Sequence, residues 1–139
     1  MKRILPIVSL AALLAFAGAA SAAPVAFSGS FHLAGNAVGC HYVVYGPVHV
    51  DIGTSAKIRC ERYSDHTIVT LSTTGKATEA HKGMPVPKGT RTQANGWTPR
   101  YTPKTDCVVG GYGRTPAITC SDGNKGSFMI GAGIVKVTR

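Results

Sequence analysis

Hydrophobic and polar residues alternate with a period of two through most of this chain. From Val25 to Leu33, Phe27, Phe31 and Leu33 fall on one side and Ser28, Ser30 and His32 on the other, with Gly29 leaving a gap on the apolar side. Successive side chains of a strand point to opposite faces, so this spacing predicts a half-buried strand with His32 on its polar face. Ala34-Gly35-Asn36 follows as a turn. Val38 to Tyr45 and Val48 to Ile52 are rich in β-branched and aromatic residues, and Gly46-Pro47 between them predicts a hairpin. Its second arm would carry Val48, Val50 and Ile52 on one face and His49 with Asp51 on the other, the spacing an acid-base pair needs.

The alternation resumes after Gly53-Thr54-Ser55. Ala56, Ile58 and Cys60 are expected inward, and Lys57, Arg59 and Glu61 outward. Tyr63-Ser64-Asp65 turns the chain into His66 to Ser72, with Thr67, Val69 and Leu71 on the packed face. The last third, Cys107 to Val137, is the densest in strand and turn signals. Cys107 to Val109 and Ala117 to Cys120 read as arms joined through Gly110 to Arg114. Asp122-Gly123-Asn124 leads into Gly126 to Ile130, and Gly131-Ala132-Gly133 separates that run from Ala132 to Thr138. No segment after the N-terminal region shows helical spacing over a dozen positions. The fold class expected is all-β, a small disulfide-stapled antiparallel β-sandwich or β-barrel of about eight to ten short strands.

Residues 75–106 break the pattern. They carry Lys76, Lys82, Lys88, Arg91, Arg100 and Lys104 against Glu79 and Asp106, and they include Pro85, Pro87, Pro99 and Pro103. A structureless connection of this length is unusual in a compact domain, so part of it is expected to be ordered. Asn95-Gly96 tolerates the positive φ angles of a tight turn and predicts a hairpin between Thr90 to Ala94 and Trp97 to Tyr101, with Pro99 making the second arm an edge strand.

The first 22 residues stand apart from this reading. Lys2 and Arg3 precede an apolar run from Ile4 to about Ala17 and then small residues up to Ala22, the pattern of a secretory signal peptide. Cleavage after Ala22 would leave a single β domain at 23–139 with a basic Pro/Gly-containing insertion at about 75–106. The apolar run is too short for a membrane span, and no later stretch approaches the roughly 20 residues one requires. A periplasmic or secreted location follows. In such a compartment Cys40, Cys60, Cys107 and Cys120 are expected to pair. Of the three connectivities, Cys40–Cys60 and Cys107–Cys120 are favoured, since each joins cysteines close in sequence on neighbouring strands.

Charge narrows the function further. Without Lys2 and Arg3, thirteen basic residues face six acidic ones, so a macromolecular partner is expected to be anionic. The residues expected to contact it are Lys82, Lys88, Arg91, Trp97, Arg100, Tyr101 and Lys104, where aromatic surface beside cations suits a sugar or base with an anionic group. No Cys-x-x-Cys or His-x-x-x-His spacing occurs, so no metal is expected. Asp122 to Gly126 lacks the ligands of a calcium loop, and no glycine cluster opens a helix for a phosphate, so no cofactor is expected either.

The leading expectation is an exported, non-enzymatic binding module, inhibitor-like or immunity-like, that engages an acidic protein or anionic polymer through its basic loop. The alternatives are a small secreted hydrolase of RNA or glycan, drawing an acid-base pair from Glu61, His66, His49 and Asp51 with Arg59 as the phosphate-holding cation, and an envelope structural or assembly component whose Phe128 to Val137 run adds to another sheet.

Overall fold

The computed structural model describes residues 23–123 and 125–139; the expected signal peptide and Asn124 lie outside them. Ten strands follow one another: β1 Val25–Leu33, β2 Val38–Tyr45, β3 Ser55–Arg62, β4 Thr67–Leu71, β5 Ala77–Ala80, β6 Arg91–Gln93, β7 Thr105–Tyr112, β8 Thr115–Asp122, β9 Gly126–Gly131 and β10 Ile134–Thr138. They form a six-stranded sheet in the order β5-β4-β3-β2-β1-β6 and a four-stranded sheet in the order β10-β9-β8-β7. The protein is an all-β, disulfide-stapled sandwich of two meanders. No helix among the described residues is long and apolar enough to cross a membrane.

The alternation places the core as expected. Phe31 and Leu33 of β1, Cys40 and Val44 of β2, Ile58 and Cys60 of β3 and Val69 and Leu71 of β4 face Cys107, Val109, Ile118, Cys120, Phe128 and Ile130 of the second sheet. The gap at Gly29 is filled by the Tyr42 phenol, which occupies the space a Cβ there would need. Each sheet carries one buried disulfide, Cys40–Cys60 across β2 and β3 and Cys107–Cys120 across β7 and β8, and in both the cysteines are direct cross-strand partners. Their Cα atoms lie 4.1 Å apart, the spacing of non-hydrogen-bonded antiparallel pairs.

Three local expectations are corrected. Val48 to Ile52 forms no strand: Gly46 has φ 153°, His49 has φ 70°, and the chain swings out before β3 returns to pair with β2. His49 and Asp51 therefore share no strand face. The hairpin of the last third is tighter than Gly110 to Arg114, since β7 and β8 run on to Tyr112 and Thr115 and leave Gly113-Arg114 as a two-residue turn with Gly113 at φ 63°. Asn95-Gly96 does turn the chain, with Gly96 at φ 95°, but its two arms part. β6 pairs parallel to β1. Residues 97–100 cross to the other sheet, where Val109 N–H donates to Trp97 O (2.8 Å) and Cys107 N–H to Pro99 O (2.9 Å).

The sheet order forces one long crossing. β5 and β6 lie at opposite edges of the six-stranded sheet, so residues 81–90 must traverse it, and they do so over its outer face.

Candidate functional site

The outer face of the six-stranded sheet is built from the positions between the core residues. Register places Ser30, His41, Arg59, Thr70 and Thr78 side by side in one row across β1, β2, β3, β4 and β5. The next row holds His32, Gly39, Glu61, Ile68 and Ala80. The crossing segment lies along this second row as a strap, and each contact follows from a polar side chain the alternation had turned outward.

Arg59 Nη2 donates to Met84 O (2.7 Å), and Val86 N–H donates to Glu61 Oε1 (2.8 Å). Glu61 Oε2 meets His66 Nδ1 at 3.0 Å, so both carboxylate oxygens are engaged, and the side chain is only 3% exposed. Val86 is 3% exposed and anchors the strap's middle. Tyr63 lies over Gly39, whose missing Cβ makes room for the phenol, and Lys88 Nζ stands 5.7 Å from the Tyr63 ring. Burial and then the Glu61 charge raise the Tyr63 phenol above its ordinary range. At the far end His32 Nδ1 donates to Gly89 O (2.7 Å), because a carbonyl can only accept, and its Nε2 pairs with the Thr92 hydroxyl of β6 at 2.6 Å.

Beside the strap the first row is half-buried and reaches solvent in part. Ser30 Oγ and His41 Nδ1 share a hydrogen bond of 2.7 Å, and His41 is the cross-strand neighbour of Arg59. Lys57, exposed, stands two residues along β3 on the same face. With Ser28, Val43 and Tyr45 completing this part of the face, its outward side chains are cationic or neutral; Glu61, the carboxylate β3 turns outward, is under the strap. Arg59 spends one donor on Met84 O, and a guanidinium keeps further donors whose fork matches carboxylate and phosphate oxygens.

The residues expected from sequence to form one binding surface are spread over several places. Lys82 and Lys88 are exposed on the strap and Arg91 on β6. Trp97 is half-buried, edge to face against Phe31 with centroids 4.7 Å apart. Tyr101 is 3% exposed and lies 4.7 Å from Tyr42, so its ring is part of the core and cannot meet a ligand from solvent. Burial, with Tyr42 adding, pushes its phenol well above the ordinary range. Arg100 is exposed opposite Asp106. Lys104 lines a separate cleft of about 390 Å³ at one end of the sandwich, with Thr73, Thr102, Asp122 and Lys125.

Sequence reasoning turned Lys57 and Arg59 outward but did not join them to Ser30 and His41, which needs the register between three strands. Among the described residues no group of three or more His, Cys, Asp or Glu side chains is placed to hold a metal ion. Compared with protein-family models, curated proteins and solved structures, the chain matches none.

Proposed function

We propose that this chain is an exported binding module that holds an anionic polymer on the outer face of its six-stranded sheet. The observation that carries this reading is the half-buried Ser30, His41 and Arg59 row with exposed Lys57 beside it, which brings cations and hydrogen-bond donors together with no carboxylate among them. The excess of positive charge in the chain would steer a polyanion toward it, and Lys82 and Lys88 on the strap extend the same sign along one side. A flat sheet face suits a polymer better than a small molecule, since repeated weak contacts replace an enclosing pocket. The two disulfides suit an oxidising compartment, periplasmic or extracellular.

The test is binding of polyphosphate at graded salt by the protein and by the double charge reversal Lys57→Glu/Arg59→Glu. The expected result is affinity that falls steeply with salt and a loss of about tenfold or more in the variant. Binding insensitive to salt, or equal in both proteins, overturns the reading.

The 3.0 Å contact of Glu61 with His66, two positions from Arg59, favours a second reading, hydrolysis of RNA or a glycan. It requires the strap to lift, because Glu61 has no free oxygen beneath it. Turnover of RNA or of peptidoglycan that His66→Ala abolishes would establish this activity, and no turnover of either would eliminate it.

A further inference from the structure

The edges of the two sheets are guarded unequally. β7 is covered by residues 97–100, whose carbonyls take its outward amides. β6 has three residues, and β5 has four before the chain leaves for the strap. β10, with five residues, pairs with β9 on one side and, among the described residues, with no strand on the other.

The register says which groups are free there. The two-residue turn Ala132-Gly133 makes Gly131–Ile134 the hydrogen-bonded closing pair, so by alternation Met129–Lys136 and Ser127–Thr138 are bonded as well. The same count in the β7–β8 hairpin makes Cys107–Cys120 a non-bonded pair, in agreement with its 4.1 Å spacing. Val135 and Val137 therefore point their side chains at the core, against which they pack, and their N–H and C=O groups outward along the open edge.

Cationic side chains stand around this edge, and the one carboxylate of β5, the strand packed beside it, is Glu79, which faces His81 at 3.4 Å. Lys136 is exposed at the middle of the strand. Lys76, Lys125 and Arg139 line a groove of about 380 Å³ with Ala77 and Thr78 of β5, at the end of β10 where Arg139 follows Thr138. Asp122, near Lys125, accepts a hydrogen bond from the Thr105 hydroxyl (3.2 Å). A second copy of the chain is a poor occupant, because two-fold antiparallel pairing centred on β10 sets Lys136 against Lys136. We infer that the β10 edge receives an extended segment of an acidic protein, which adds a strand through the Val135 and Val137 backbone groups and places its carboxylates among Lys76, Lys125, Lys136 and Arg139. This surface is separate from the polymer face of the other sheet.

The experiment titrates the protein with a short peptide alternating glutamate and valine, and with its lysine-valine counterpart, while amide exchange is followed residue by residue. The acidic peptide should slow exchange at Val135 and Val137 and bind about tenfold or more tightly than the basic one, the preference reversing in Lys136→Glu. Val137→Pro removes an outward N–H that β9 does not use, so it should fold and lose the acidic peptide. Lys57→Glu/Arg59→Glu should leave peptide binding intact. Equal binding of the two peptides, binding without protection at Val135 and Val137, or the same protection by polyphosphate overturns the assignment.

Discussion

Glu61 gives one carboxylate oxygen to the Val86 amide and the other to His66, so its loss is felt through the strap. Glu61→Ala leaves a buried N–H unpaired and should destabilise the protein by about 1–3 kcal/mol, with trypsin cutting sooner after Lys82 and Lys88. Glu61→Gln, which retains an acceptor, should recover much of this in urea denaturation. Tyr101 presents the opposite case. Its buried hydroxyl has no hydrogen-bond partner among the described residues, so Tyr101→Phe should leave stability unchanged or raise it by up to about 1 kcal/mol. Asp65 is held below the usual carboxylate range, first by its hydrogen bond from Arg62, then by the Thr67 hydroxyl and amide, against the opposing effect of desolvation. A lowered carboxyl stabilises the fold above its unfolded pKa and ceases to do so as pH falls toward the folded value. Asp65→Asn should therefore melt slightly below the parent at neutral pH, less so in high salt, and converge with it in acid. That Glu61 leaves β3 on the face opposite Ile58 and Cys60 was legible from alternation, whereas Tyr101, expected on the binding surface, lies in the core. That Glu61 is buried was not legible, because the segment covering it lies twenty-five residues away in sequence and no local period encodes it.

At the scale of elements, strands whose alternation and flanking turns agreed were legible with their limits, as β1 and β2 show. Val48 to Ile52 had the alternation and lacked the partner: β3 already occupies the free side of β2, and backbone bonds from Gly46 to Pro24 and from Gly53 to Tyr101 hold the intervening loop outside the sheet. Asn95-Gly96 shows the complementary limit. Turn chemistry fixes the local φ angles and does not say which strands the two arms will meet, so a residue pair typical of hairpins became a corner between sheets. Gly96→Ala tests that corner cleanly. An added Cβ would meet nothing within 4 Å, so the cost of about 1–2 kcal/mol expected in chemical denaturation comes from the positive φ alone, with an unchanged denaturant slope.

On the scale of the whole molecule, the two sheets are joined by apolar packing and by the chain's passages between them, and neither disulfide crosses from one to the other. Each bridge closes a short loop, with sequence separations of 20 and 13, and should contribute about 3 kcal/mol on the chain-entropy account. Replacing either pair with alanine should lower the denaturation midpoint by similar amounts, because loop length enters only logarithmically. The row of Ser30, His41 and Arg59 could not be read at this scale from sequence. Its members lie on β1, β2 and β3, where each looked like an ordinary solvated residue, and only the register between strands brings them into one row.

The first cysteine is bridged to the second and the third to the fourth, an order with a consequence for how the molecule is made. A chain threaded N-terminus first into an oxidising space offers Cys60 to Cys40 before the later thiols arrive. Cys107 then finds Cys120 as its remaining choice. Native bridges should thus form during synthesis with an oxidant alone, and an isomerase should not raise the yield of correctly bridged protein.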